Sequence, residues 1–414
     1  MRILSLLVIS TALAAQGGPG GGGPGGGGPG GGGPGGGGPA QPLPPRPVPV
    51  QNQITPQKAM LGKLLFWEEQ MSTDNRVACG TCHTFGAGGG DSRRVLNPVG
   101  PGIGDDIFAS PGVRRSDGNN NYIPDATFGF SPQVTGRSSP SFLTAAWFTD
   151  LFWDGRARTS FIDPDTGVTL IPNGGALENQ ALGPLLSSAE MAHDAHNFGD
   201  LTAKLVNVRP MALATNLPTD MANAIAGGVS YPDLFQAAFG SSSISAARIA
   251  MAIATYERTL VPDQTPYDAF LAGNQNALTP QQVNGLGVFL GPGRCVICHT
   301  TGLFSDDGFH NLGLRPIAND NGRQSITGNP ADAGRFKTPS LRNVGLRNSF
   351  MHTGQFTSLQ QVFGFYLQGG GPNLQNKDPQ LLPLNVGPQA ANDLINFISN
   401  GLTDPRVAAG SAPF

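Results

Sequence analysis

"ACGTCHTF", residues 78–85, sets two cysteines three apart with a histidine directly behind the second. "RCVICHTT", residues 294–301, does the same again. Together they use all 4 cysteines of the 414-residue chain. Three chemistries use cysteines at this spacing. A covalent c-type haem takes both thiols onto its vinyl groups and the histidine onto its iron. One helical turn then puts both sulfurs at the ring edge and the imidazole under its centre. A structural zinc ion would share four thiolates between the two pairs. A redox disulfide would close within each pair. Only haem accounts for a histidine at the same offset in both copies. The expectation is two covalently bound haem c groups. Cys79, Cys82 and His83 would hold one, Cys295, Cys298 and His299 the other, with His83 and His299 as iron ligands. Each of the other histidines, His193, His196, His310 and His352, reads on its own as a surface or core residue.

A helix start precedes each motif. "ITPQKAMLGKLLFWEE", residues 54–69, opens with Thr55 as N-cap and Pro56 at the first helical position. "LTPQQVNGLGVFLG", residues 278–291, opens the same way with Thr279 and Pro280. The same small arrangement twice predicts two related domains, the first carrying large insertions. Residues 201–205, 246–260 and 388–398 read as helical. In the second of these, Ile249, Ile253, Tyr256 and Leu260 recur at helical spacing and are assigned to the core. Residues 86–136, rich in Gly, Pro, Asn and Asp, read as one long loop folded over something. With 60 Gly, 36 Pro and only 13% charged residues, short helices joined by long loops are expected. The predicted fold class is mainly α, with two cytochrome c-like haem domains and long loops.

The domain expectation is a signal peptide over 1–14, a Gly/Pro-rich disordered tether over 15–50, an N-terminal haem domain over 51–262 and a C-terminal one over 263–414. Arg2, the apolar run 3–13 and the Ala12-Leu13-Ala14 cleavage pattern mark an export signal. They predict a periplasmic or otherwise exported protein; the competing reading is a short N-terminal anchor. No run is long enough to span a bilayer. Residues 17–39 are only Gly and Pro in a five-residue repeat. They have no side chains for a core, and their period is not that of collagen. A Pro-rich stretch, 42–49, extends them. The net charge is −3 and there is no basic cluster, which argues against nucleic acid and anionic membranes as main partners.

Longer motifs say more. "LFWDGRA" (151–157), "QALGPLLSSAEM" (180–191), "FHNLGL" (309–314) and "GRFKTPSLRNVGLRNSFMHTG" (334–354) resemble the bacterial di-haem cytochrome c peroxidases and their MauG-type relatives, over residues 61–402. The resemblance implies that the N-terminal, peroxidatic haem meets hydrogen peroxide and the C-terminal one relays electrons. It implies that Trp153 lies between the haems, that Glu190 is the distal acid and Gln180 the pocket glutamine, and that His352, near the haem propionates, is structural. A carboxylate over an open iron can carry a proton between the peroxide oxygens. Many family members cap the first iron with a histidine from the loop after the first motif. Here residues 84–190 hold no His, Met or Lys, and Tyr122 is their only phenol, so an open sixth position is expected, as in MauG-like enzymes.

For the second iron the resemblance points to "TSLQQVFGFYLQGG", residues 357–370, and within it to Tyr366 as sixth ligand, where peroxidases carry Met and MauG carries Tyr. Met351 is the nearby alternative, out of register. The family's Ca²⁺ site falls on Ser138 and Arg347, and an arginine is a poor neighbour for a cation. "SDGNNNYIPD", with Asp117, Asn119, Asn121 and Asp125, faintly suggests another oxygen-rich loop but lacks the turn glycine. The expected function is a di-haem c-type peroxidase that reduces hydrogen peroxide, with electrons relayed between two covalent haems and Tyr366 as a MauG-like ligand. Its electron source would be a small redox protein, a cytochrome c or cupredoxin, or an oxidised protein substrate. The alternative is a di-haem electron-transfer cytochrome without peroxide chemistry.

Overall fold

Two capped helices frame the molecule. The Thr55 hydroxyl accepts from the Lys58 N–H and starts the helix Pro56–Trp67. Thr279 and Gln282 cap each other reciprocally and start Pro280–Leu290. The main packing partner of Pro56–Trp67 is Ala246–Thr259, and that of Pro280–Leu290 is Pro388–Asn396. Both crossings turn on a glycine. A Cβ on Gly62 would lie 1.9 Å from the Ala252 carbonyl oxygen, and one on Gly285 2.1 Å from that of Asp393. A methyl group at either place forces the helices apart, and such overpacking costs about 1–3 kcal/mol.

The computed structural model describes residues 40–98 and 106–414. The expected signal peptide and the Gly/Pro stretch through residue 39 lie outside them. The described chain is mainly helical. Its apolar residues gather in two large clusters. One joins Leu61, Leu64, Leu65 and Phe66 to Ile249, Ile253, Tyr256 and Leu260, the face that helical spacing assigned to the core. The other is an aromatic nest of Tyr267, Phe289, Phe304 and Phe397 with Leu286 and Leu394. Its Tyr267–Phe304 and Phe289–Phe304 rings meet edge to face at 5.0 and 5.5 Å. A smaller cluster of Phe148, Leu151, Leu177 and Ala254, with Leu303 against it, lies where the two meet.

Each large cluster is braced by a buried arginine. Arg258 donates two hydrogen bonds to Glu178, at 2.7 and 2.9 Å, and one to the Gly174 carbonyl. Arg342 donates two to Asp268, both at 2.8 Å, and one to the Gly302 carbonyl. Forked pairing of this kind fixes geometry as well as charge.

The fold departs from the sequence reading in places. The helix expected over 388–398 ends at Asn396, and Phe397–Gly401 continues as a wider π turn. The stretch 86–136 is not plain loop. Val95–Leu96 pairs with Phe108–Ala109, and Pro111–Arg114 with Pro132–Val134, in two antiparallel ribbons. Residues 40–50, the end of the expected tether, lie along the body as a strap. Gln41 bonds Thr301 and Tyr267, Pro44 accepts from the Trp147 indole, and Arg46 reaches the Arg258 carbonyl. Among the described residues no helix is long and apolar enough to cross a membrane.

Candidate active site: two cysteine–histidine cavities

The first motif forms a single helical turn, Cys79–Cys82, closed by the His83 N–H to the Cys79 carbonyl at 3.0 Å. The Thr81 hydroxyl accepts from the Ala78 N–H at 2.9 Å. Gly80 faces Trp67 so closely that a Cβ there would sit 2.3 Å from the indole. The turn therefore rests on the first framing helix. The His83 Nδ1 lies 3.0 Å from the Gly89 carbonyl oxygen. A proton on Nδ1 makes that bond and leaves the Nε2 lone pair free for a metal.

The second motif repeats the construction. Cys295–Ile297 forms one turn, the His299 N–H reaches the Cys295 carbonyl at 2.8 Å, and the His299 Nδ1 lies 2.9 Å from the Phe304 carbonyl oxygen. All four cysteines are free thiols. Burial pushes Cys82 and Cys295 up to about 12, and Cys79 higher in the same direction. The two pairs line different cavities, so they do not meet to share one four-thiolate zinc site. Two thiols and a pre-oriented imidazole on each cavity wall are the donor set of haem c, and they fit it twice.

The first cavity is lined by Cys79, Cys82 and His83 and, on other walls, by Gln180, Glu190 and Arg156. Burial raises the Glu190 carboxyl above its ordinary value, against the opposing pull of the Arg156 charge and of a hydrogen bond from Ser187. A carboxyl so placed holds its proton to higher pH and suits general acid–base work. Tyr122, the lone phenol of the preceding stretch, is 41% exposed and stands away from this cavity. Met191, one residue past the stretch without His, Met or Lys, does line it.

The second cavity is lined by Cys295, Cys298 and His299 together with Tyr366 and Met351. Tyr366 projects from the helix Leu359–Leu367, and burial, then the nearby cysteines, raise its phenol above the ordinary range. Met351 sits on a loop with φ +65°, a left-handed conformation uncommon for a side chain of its size. Its carbonyl accepts the Ser138 hydroxyl at 2.6 Å.

Trp153 lines both cavities and the cleft between them. Its indole N–H donates to the Ser138 carbonyl at 2.8 Å. Its ring lies 6.2 Å from that of His352. His352 stacks on Phe336 at 3.6 Å, and burial holds it neutral by pushing it down to about 3. His310 is the opposite case. Asp306, with further help from Cys298 and Asp378, pushes it up to about 11. Its two ring nitrogens both face carboxylates, Nδ1 that of Asp378 and Nε2 that of Asp306. His193 and His196 stand with ring centres 5.0 Å apart, outside both cavities.

At the two positions expected from the calcium resemblance, Ser138 is engaged as above, and the Arg347 guanidinium donates to the Ser139 and Ser349 carbonyls at 2.8 and 3.2 Å. In the other candidate loop, the Asp117 and Asp125 carboxylates accept nearby backbone N–H groups.

Sequence reading missed Arg156 and Glu257 as cavity residues. Arg156 lay inside a quoted motif without a role. Glu257 lies one helical turn beyond Ile253, and both line the first cavity. A carboxylate continuing an apolar stripe was the available signal.

A family model described as di-haem cytochrome c peroxidase matches residues 56–276. The methylamine utilization protein MauG of Methylorubrum extorquens is 30% identical over 359 residues, 86% of this chain and 80% of that protein. The cytochrome c551 peroxidase of Nitrosomonas europaea is 28% identical over 316 residues, 75% of this chain and 73% of that protein. A crystal structure of a MauG-like protein associated with microbial copper homeostasis aligns with TM-score 0.63 at 25% identity, covering 90% of this chain and 95% of that one.

Proposed function

The chain belongs to the di-haem cytochrome c peroxidase family, which takes in MauG, and from that premise we propose how its two cavities divide the work. It is an oxidoreductase of the di-haem peroxidase kind. In the proposed reading each cavity holds one covalent haem c, on domains 51–262 and 263–414. Cys79 and Cys82 link the first haem and Cys295 and Cys298 the second; His83 and His299 ligate the irons. When bound, haem supplies the iron at which peroxide is held and through which electrons arrive. Everything else falls to the chain. Glu190 takes a proton from one peroxide oxygen and returns it to the departing one. Gln180 holds the peroxide by hydrogen bonding, and Trp153, fixed by Ser138, couples the two cavities.

The observation that carries this reading is the division of side chains. Glu190, Gln180 and Arg156 line the first cavity, whereas Tyr366 and Met351 line the second. Tyr366 is the proposed sixth ligand there. A phenolate is a hard anionic donor that favours ferric iron and a low potential; a thioether does the reverse. The left-handed backbone of Met351 at the same cavity favours a second reading, in which Met351 is the ligand. The electron source is proposed to be a small redox protein, a cytochrome c or cupredoxin, or a protein substrate that is itself oxidised. Residues 1–14 are proposed to direct export to the periplasm. Ca²⁺ is not required by the reading.

Glu190→Gln tests it. The variant should keep both haems and react with hydrogen peroxide about 10²–10⁴-fold more slowly, because an amide does not relay the proton. Stopped-flow haem spectra after mixing with peroxide give the rate. An unchanged rate returns the chain to the class of electron carriers.

A further inference from the structure

Glu257 is 5% exposed, and its Oε2 has no hydrogen-bond partner. It projects from the helix Ala246–Thr259 into the first cavity and into the cleft that joins it to Trp153. The next residue, Arg258, is a cation but points to another face of the helix and pairs elsewhere. Its two terminal nitrogens, Nη1 and Nη2, donate to Glu178. A buried carboxyl kept without a partner is costly and is retained where it has a task. We infer that Glu257 is a second proton-holding residue of the first cavity, keeping at its Oε2 a proton that peroxide reduction consumes.

The inference rests on the peroxidase reading above. Reduction of hydrogen peroxide breaks the O–O bond and makes two waters from one peroxide, two electrons and two protons. Glu190 only moves a proton that peroxide already carries from one oxygen to the other. Two more must enter a site whose walls include the buried Val77, Ala181, Met191 and Trp153. Glu257 shares that cavity and lies on the side of the first motif, where its charge is felt at Cys79. Burial pushes its carboxyl up to about 8, with Arg258 drawing it down and Glu178 pushing it further up. Around neutrality it therefore carries the proton. Of the other charges on these walls, Arg137 is paired with Asp154 and Asp320, and Lys337 with Asp307. Arg156 and Glu190 face the same space, along with His83 and the neutral thiols of Cys79 and Cys82.

The test uses holoprotein carrying Glu257→Gln, Glu257→Asp or Glu190→Gln. Infrared spectra of the wild type should show a buried carboxylic-acid C=O band that disappears as pH rises through about 8; it should be missing from Glu257→Gln and present in Glu190→Gln. Peroxide turnover of the wild type should fall across the same pH range. Glu257→Gln should lack that limb, run up to about 10²-fold slower below it, and be partly rescued by Glu257→Asp. Loss of the band that titrates near 8 from Glu190→Gln instead of from Glu257→Gln, or a pH profile that overlays the wild type, overturns the inference and leaves the peroxidase reading standing if Glu190→Gln is slow. If Glu190→Gln is as fast as the wild type, the peroxidase reading falls and takes this inference with it. Should Glu257→Gln fail to fold, Glu257→Asp decides: its band must shift, and a band that stays in place overturns the inference.

Discussion

The two cavities share a floor and the side of Trp153, and they differ in the side chains set opposite. In each, one helical turn presents two thiols, and a backbone carbonyl ties down the histidine Nδ1, that of Gly89 in one and Phe304 in the other. Opposite this floor, the first cavity offers Glu190, Gln180 and Arg156, while the second offers Tyr366 and Met351 among Leu312, Leu314 and Phe363. The lesson is that the Cys-x-x-Cys-His motif fixes how a cofactor is held and says nothing of what it does. In the proposed reading the opposing wall decides that, by supplying either proton-carrying groups or a further ligand.

The sharpest way to break the comparison is to destroy one floor. Replacing Cys79 and Cys82 by serine should remove the first covalent haem, halve the haem that stays with the denatured polypeptide, and abolish peroxide turnover. The same change at Cys295 and Cys298 should also halve the haem but leave a first cavity that still reacts with peroxide. If both double variants keep full covalent haem by acid–acetone extraction, the shared floor is not an attachment site.

The next largest effect concerns the braces. Glu178→Ala leaves Arg258 buried and unpaired, and Asp268→Ala does the same to Arg342. Breaking a buried pair costs roughly 3–5 kcal/mol. Each variant should lower the thermal unfolding temperature. If the two halves differ in mechanical independence, Glu178→Ala should disturb the spectrum of the haem on His83 first and Asp268→Ala that of the haem on His299. Identical spectral changes from both would mean that the halves melt as one unit.

The smallest expected effect sharpens the comparison of the upper walls. Tyr366→Phe should change the resting spectrum and raise the reduction potential of one haem only, with stability little altered. Met351→Leu should leave both potentials in place. The reverse result, seen in a spectro-electrochemical titration, assigns the ligand to Met351 and brings the second cavity closer to that of an ordinary peroxidase.

What could be read from the sequence was local. Thr55-Pro56 and Thr279-Pro280 marked helix starts because a cap and its first turn lie within four residues of each other. The apolar stripe on Ala246–Thr259 was visible for the same reason. The ribbons within 86–136 were not, since strands of two to four residues carry too little alternation to detect. Nor were the braces: Arg258 and Glu178 are 80 positions apart, and Arg342 and Asp268 are 74. Of the candidate site, the cysteines and histidines stood out by spacing, and Glu190, Gln180, Trp153 and Tyr366 by resemblance. Glu257 was visible as a carboxylate one turn beyond Ile253, but which cavity that face of the helix lines is set by distant segments and not by the local pattern.

The strap over residues 40–50 has a mechanical consequence. Its contacts follow one another along the chain: Gln41 to Thr301 and Tyr267, then Pro44 to Trp147, then Arg46 to Arg258. A pull on the chain ahead of residue 40 loads them one after another instead of together. Each is a single hydrogen bond, with a net worth of about 1 kcal/mol. The strip therefore peels like tape from the end at Gln41, at low force, and the first bonds to give are those beside Thr301, two residues beyond His299. Tension is spent on the strap before it reaches the helices that frame either cavity.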